Sequence, residues 1–509
     1  MWTIPAWRTE VPWPVIGLSV ALGLVASLLS WHTGSMTLYN DAKSHLDIAR
    51  RVTDALTPGY AQLGTVWLPL QQLLLVPLVA IEPAWHSGVA GALVSGVAFA
   101  YAAIRIYSLA NAWFGNRLVA WTAFIVFALN VNLLYLQSTA LQEPLLLAFL
   151  VGAIYHLSRW TRTLDARELV AAAAMTFCAT LTRYDGWAVL GAAVVLVFIW
   201  SRTHDRRSQA TEANVLIFVL IGGYGIGLWV LYNLIIFHNP WAFFSGPYSA
   251  QSQQTISLYL GRLPTARNLA LSALTYGWDI MDVCGLGVVA VAVAGAMTLL
   301  AQRLNRGRNL FLLGLLASPV LFNMASLYLG ETTLQVPQLS PYQMFNDRYG
   351  IMALPLVALS AAALVSWRRW IAPGVMAVAL ASAVLMAWQT PITVADGRGG
   401  ISAASAKASS VVAAYLGSHY QGGRVLADDS RVSPLEFSSG MDLKNFVVVG
   451  FRPYFERALH NPARHVEWVV VAQGDVVSRD MSAHPGRFVD FKMVFDRGPL
   501  KLLKRIASS

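Results

Sequence analysis

From position 11 to position 389 the chain is a succession of long apolar runs separated by short polar connections. About 20 apolar residues are needed to cross the hydrocarbon core of a bilayer. In lipid the backbone polar groups of such a run must be satisfied internally, which a helix does. The runs lie at 12–31, 67–81, 87–109, 119–136, 144–157, 169–182, 187–200, 213–237, 280–300, 310–329, 349–366 and 371–388. Charged residues make up only 12% of the chain, about half the share usual in soluble domains. The sequence therefore predicts a mostly α, polytopic membrane protein. The first run is long for the core of a leader peptide and lacks a small-residue cleavage site, so it reads as a spanning helix.

The arginines give a topology. They crowd some of the short linkers (Arg159, Arg162, Arg167; Arg202, Arg206, Arg207; Arg303, Arg306, Arg308; Arg368, Arg369), while the alternate linkers are poor in them. Linkers rich in Lys and Arg stay in the cytoplasm. Counting back, run 12–31 leaves the cytoplasm and run 87–109 re-enters it. Run 67–81, short and containing Pro69 and Pro77, is then an interfacial or re-entrant helix within a long first external loop, 40–86. About eleven spans result, with a cytoplasmic N-terminus in the plasma (inner) membrane. The net charge of +10 is read as topology-setting arginines meeting anionic lipid headgroups of the bilayer, with no nucleic-acid partner. Cys178 and Cys284 have neither a disulfide framework nor metal-ligand spacing.

Beyond position 390 the pattern changes. Segment 401–419 is helix-like, 424–427, 446–449 and 466–471 resemble short buried strands, and 451–460 suits a helix between two of them. The pair 491–495 and 500–503 around Asp496–Pro499 suggests a hairpin. The expected organisation is a transmembrane catalytic domain, 1–390, followed by a small extracytoplasmic α/β domain, 391–509.

Ionisable residues collect at the outer mouths of the spans. The stretch after the first span places Asp41, Ser44 and His45 on one helical face. A second strip, Lys43, Asp47, Arg50 and Asp54, alternates in sign and reads as a solvated, salt-bridged face. A third, Leu46, Ala49, Val52 and Leu56, suits the membrane surface. Glu143 precedes Pro144 at a helix start, where the dipole favours an acid. Arg183 and Asp185 sit between two apolar runs with almost no linker, where a mutual bridge is expected, and Arg348 and Tyr349 open a late span. A carboxylate can act as general base on a hydroxyl, and arginines can grip a phosphate by charge-assisted bonds. Acid and arginine together on one face thus imply attack by an acceptor hydroxyl and departure of a lipid phosphate. The acidic pair Asp428 and Asp429 ends a strand and reads as a turn or cap. No cofactor is required, and a divalent metal stays open.

In this pattern residues 10–390 resemble the polytopic GT-C glycosyltransferases, especially the protein mannosyltransferase and aminoarabinose-transferase branch (glycosyltransferase family 39-like). The matching features are Asp41 in the first external loop, the amphipathic 42–56 helix, Leu68-Pro69-Leu70, Glu143 within Leu141-Gln142-Glu143-Pro144, and Arg348-Tyr349 before an apolar span. Two departures are Asn40-Asp41-Ala42, where protein mannosyltransferases commonly have an Asp-Glu pair, and the missing lysine before the interfacial Pro-Leu. The resemblance implies a GT-C-type fold and an inverting transfer of a hexosyl or pentosyl group. The sugar would move from a polyprenyl-phosphate donor to a hydroxyl acceptor on a lipid, glycan or protein. Asp41 would then be the base, and Lys43, His45, Arg183 and Arg348 would bind the donor phosphate. Glu143, Asp185, Tyr184, Tyr349 and Trp67 would contact substrate. The alternatives are a lipid or solute transporter or flippase, whose paths also carry intramembrane charge, and a non-catalytic scaffold.

Overall fold

The computed structural model describes residues 11–204, 208–246, 248–250, 252, 254, 263–340, 343–432, 435–450 and 452–506; Arg206 and Arg207 of one arginine-rich linker, and Phe451, lie outside them. The chain forms two compact units. One comprises residues 1–35, 65–71 and 92–396, the other 36–64, 72–91 and 397–509.

The first unit is a helical bundle. Seven described helices are long and apolar enough to cross a membrane, and a bent pair brings the number to eight. Shorter or more polar helices, Arg117–Ala128, Glu143–Thr163 and Ala166–Thr180, complete it. Burial sorts the spans: Tyr349–Trp367 is 78% buried, whereas Trp13–His32 and Ser208–Phe237 are 22% buried and present leucines outward. The central helix Leu354–Trp367 packs on Leu286–Ala301 through small residues. A methyl added at Gly295 would stand 1.7 Å from the Ser360 carbonyl oxygen. Such small-residue approach is how helices associate where lipid removes the hydrophobic drive.

Two expected spans are interrupted. The run 280–300 is not one helix: Leu269–Cys284 and Leu286–Ala301 meet at 110° around Gly285, whose φ of +90° suits glycine. The Val283 carbonyl at this break accepts from the side-chain amides of Asn130 and Asn132 (2.8 and 3.0 Å), as a backbone group at such depth requires. Run 119–136 divides into Arg117–Ala128 and Val131–Leu136, because the Asn130 side chain caps the second helix through Leu133 N–H (2.9 Å). Run 67–81 yields the short helix Leu70–Val79, with Pro77 inside it.

The second unit holds a five-stranded sheet. Its strands are β1 (Val425–Ala427), β2 (Phe446–Val448), β3 (Trp468–Ala472), β4 (Phe491–Arg497) and β5 (Leu500–Arg505), in the order β2-β1-β3-β5-β4. β1 runs parallel to both β2 and β3, and the β4–β5 hairpin closes antiparallel on β3. The valine runs are apolar without alternation because both faces of the sheet are covered. Val412 and Leu416 of helix Ile401–His419 pack on one face, and Phe455, Ala458 and Val477 on the other. Both expected helices, Ile401–His419 and, over its described residues, Arg452–His460, are present with the three strands and the hairpin.

Helix Asn40–Arg51 belongs to this same unit. Leu46 and Ala49 are fully buried within the protein, Ala55 joins the first sheet cluster and Leu56 packs against the second. The apolar side expected at the membrane surface is therefore packed against protein. The strip expected in solvent is also enclosed: Asp47 is 4% exposed, and Arg50 and Asp54 are largely covered.

Candidate active site

In the helical unit the acids and arginines at the helix mouths converge. The turn between helices Ala166–Thr180 and Asp185–His204 is very tight; Gly186 sits on the Ala179 carbonyl, leaving no room for a side chain. Arg183 leaves this turn with its guanidinium N–H groups engaged at two points. Its Nη1 donates to Glu143 Oε1 (2.9 Å) and its Nε to Asp185 Oδ2 (3.1 Å). Arg348, just ahead of the turn Tyr349–Ala353, donates from Nε to the same Glu143 Oε1 (3.0 Å). One carboxylate oxygen thus gathers two guanidinium groups from distant parts of the chain. Glu143 is 1% and Arg348 4% exposed, so these charge-assisted bonds operate with little solvent screening. Burial works against the Arg183 charge, but Asp185 and Glu143 outweigh it and raise its pKa.

Tyr349 lies under both cations, with its ring centroid 5.1 Å from Arg183 Cζ and 5.3 Å from Arg348 Cζ. Its backbone carbonyl accepts from Tyr276 Oη (3.0 Å). Asp185 is completed by Asn323 Nδ2, which donates to Oδ1 (2.7 Å). Glu143 Oε2 is buried and, among the described residues, has no hydrogen-bond donor. The site therefore offers one acceptor oxygen beside two held cations.

Tyr184 and Trp67 lie beside this network. Tyr184 Oη donates to the Val66 carbonyl (2.7 Å), tying the start of segment 66–71 to the turn. The Tyr184 ring joins Trp187, Phe243 and Trp229 in an aromatic cluster with Leu68. Trp67 is half-buried.

The remaining nominated residues are on helix Asn40–Arg51 of the other unit. Asp41 occupies its first turn and is half-buried. Lys43 is two residues further on; burial lowers its pKa and Asp47 opposes that. His45 is 3% exposed, and its Nδ1 lies 2.8 Å from Gln72 Nε2, a hydrogen bond that selects the ring tautomer.

Residues the sequence reading passed over include Asn323 and Tyr276, both polar groups within apolar helices. Asp279 is another, and Asp347 stands beside Arg348 in the stretch that opens the late span, with no role assigned to it from sequence. Both are fully buried, and their carboxylate oxygens lack hydrogen bonds of ordinary geometry among the described residues. Burial, with the charges of Asp396 and Asp282, pushes Asp347 up to about 8, so its carboxyl holds a proton at neutral pH. Among the described residues no group of three or more His, Cys, Asp or Glu side chains is arranged to hold a metal ion. Asp428 is a cap: its Oδ1 accepts from Ser430 N–H (3.2 Å) and its Oδ2 from Val476 N–H (3.2 Å).

No protein-family model and no curated protein sequence matches this chain. Among solved structures it is similar to ArnT from Cupriavidus metallidurans bound to undecaprenyl phosphate. The TM-score is 0.61 at 14% identity, with 96% of this chain and 98% of that chain covered. The apo form of the same protein gives a TM-score of 0.59 with the same identity and coverage. At this identity the likeness speaks of architecture: the chain has a GT-C-type fold of membrane helices with a small C-terminal sheet domain.

Proposed function

We propose that this protein is an inverting glycosyltransferase that moves a sugar from a polyprenyl-phosphate donor to a hydroxyl acceptor on the extracytoplasmic face of the inner membrane. The observation that carries this reading is the convergence of Arg183 and Arg348 on Glu143, in a chain whose fold is shared with a protein solved with undecaprenyl phosphate bound. Two guanidinium groups, that of Arg348 buried and that of Arg183 mostly covered, are pre-positioned by one carboxylate as an electrostatic cradle for a leaving phosphate, and such preorganised charge is a large source of rate enhancement.

In the proposed reaction Asp41 takes the proton of the acceptor hydroxyl. The acceptor oxygen attacks the anomeric carbon from the face opposite the phosphate. The new carbon–oxygen bond forms as the bond to phosphate breaks, and the configuration inverts. Arg183 and Arg348, with Lys43 and His45, stabilise the departing polyprenyl phosphate. Glu143 Oε2, Asp185 and the rings of Tyr349, Tyr184 and Trp67 orient the sugar or acceptor. The transporter reading gains no support from the fold likeness.

Replacing Asp41 by Asn tests the chemistry. Transfer of labelled sugar from a polyprenyl-phosphate donor should disappear, while undecaprenyl phosphate still binds to purified protein. Mass spectrometry of lipids that co-purify with the inactive variant would identify the donor sugar by mass. A D41N protein that transfers sugar at the wild-type rate would end the base assignment.

A further inference from the structure

The charged strip of helix Asn40–Arg51 is not a solvated face but a set of fixed attachments, and each attachment lies in the same compact unit as the C-terminal sheet. Arg51 Nη2 donates to Asp429 Oδ2 (3.2 Å) and also to Glu436 Oε2, on two short helices of the C-terminal domain. Just past the helix, Asp54 accepts from the backbone N–H groups of Leu443 (3.1 Å) and Lys444 (3.3 Å), the start of the turn Leu443–Asn445. On the same strip, Arg50 bridges from Nε to Asp54 Oδ2 (3.5 Å), its Nη1 donates to the carbonyls of Val79 (2.8 Å) and Ala80 (3.2 Å), and its guanidinium lies 5.1 Å from the Trp85 ring centre. Trp85 Nε1 in turn donates to Asp47 Oδ1 (3.1 Å). These attachments follow one another along a single strip from Asp47 to Asp54. Rotating or sliding the helix breaks several at once.

This exceeds what a surface helix needs for stability. Exposed ion pairs contribute little, whereas buried polar networks matter for specifying one arrangement. The arrangement specified here is that of the helix whose first turn carries Asp41. Ten residues of helix separate Asp41 from Arg51, roughly 15 Å along a rigid rod, so the orientation imposed at Arg51 is transmitted to Asp41.

We propose that Arg51 and Glu436 are positioning residues, through which the C-terminal domain sets the rotation and height of helix 40–51 and hence the aim of the Asp41 carboxylate. The domain is then part of the catalytic apparatus. This inference rests on the assignment of Asp41 as the base.

The experiment uses the full-length protein in lipid nanodiscs. E436A and R51A should each lower kcat at least tenfold per folded molecule, while affinity for undecaprenyl phosphate stays within about threefold. E436Q, which keeps an acceptor oxygen for Arg51, should recover to within about threefold of wild type. R51A/E436A should be no slower than R51A alone, because both remove one link. A merely structural role would lower the melting temperature and yield but leave kcat of the folded fraction unchanged, and that result overturns the proposal. Loss of lipid-phosphate affinity in proportion to rate also overturns it. Should E436A fail to fold, R51K serves in its place. It keeps the charge but cannot span both carboxylates in the same way, and a wild-type kcat for it would equally overturn the proposal. D41N separates the two claims: activity in D41N refutes the base assignment, whereas inactive D41N beside fully active E436A refutes the positioning alone.

Discussion

Glu143→Gln is the most informative single change in the helical unit. The substitution preserves shape and removes charge. Glu143 Oε1 accepts from both Arg183 and Arg348 at about 3 Å, and hydrogen bonds to charged groups are each worth about 1.5–3 kcal/mol. Glutamine still offers one neutral oxygen, so the geometry survives while part of each bond is lost. Because Oε2 has no donor among the described residues, placing the amide nitrogen there breaks no existing bond. The loss is confined to the joint between the arginines. A weakening of about 2–4 kcal/mol at that joint, felt by the leaving phosphate, corresponds to a roughly 30- to 1000-fold fall in transfer rate. Glu143→Ala should fall further, since truncating one partner of a buried ion pair costs about 3–5 kcal/mol. The assay is the initial rate of labelled-sugar transfer from a saturating polyprenyl-phosphate donor into membrane acceptor, normalised to folded protein by size-exclusion fluorescence. A folded E143Q protein with the wild-type rate would show that the convergence of Arg183 and Arg348 does not organise the leaving group.

Asn323→Leu removes the donor to Asp185 Oδ1 at 2.7 Å. With a buried acceptor left unmatched at about 1–3 kcal/mol, the melting temperature should drop by several degrees, read by a thermal-shift assay in detergent. Gly295→Ala should abolish folded yield because its methyl would meet the Ser360 carbonyl, whereas Gly191→Ala, with open space around it, should purify normally. A pH dependence comes from Glu436. Burial raises it, Arg51 opposes and Asp429 adds, leaving it at about 7 against about 4.5 for the unfolded chain. The folded state keeps a proton that the unfolded state releases, so this contribution is present below about 4.5 and lost as pH rises to about 7. The change is about 3 kcal/mol in all. Melting temperature should therefore fall between pH 4.5 and 7, and E436Q should flatten that slope; an unchanged slope in E436Q refutes the assignment.

Local signals proved legible where local physics decides the outcome. Uninterrupted valines became strands covered on both faces, the expected hairpin formed with its turn at Gly498 and Pro499 while Asp496 and Arg497 stayed in β4, and the Arg183–Asp185 bridge formed across two residues. What stayed hidden were partnerships between distant positions. The chain is apolar on both sides of Gly285, and hydropathy cannot report a 110° bend. Asn323 is one polar residue in an apolar helix, and only the fold brings it to Asp185. The alternating charges of 43–54 fit an exposed face as well as a buried one, because their partners are encoded elsewhere, at Val79 and Trp85 for Arg50 and Asp47 and nearly four hundred residues later for Arg51.

That separation has a cost in time during synthesis. Arg51 stands 378 and 385 residues ahead of Asp429 and Glu436. At about 5–20 residues per second, the ribosome needs roughly 20–80 s after making the helix before its counter-charges emerge. Throughout that interval Ala55 and Leu56 also wait for the sheet that covers them. Nascent chains must therefore be kept from aggregating while most of the membrane part is inserted. A chain truncated anywhere before residue 429 leaves Arg51, Ala55 and Leu56 without these partners for good.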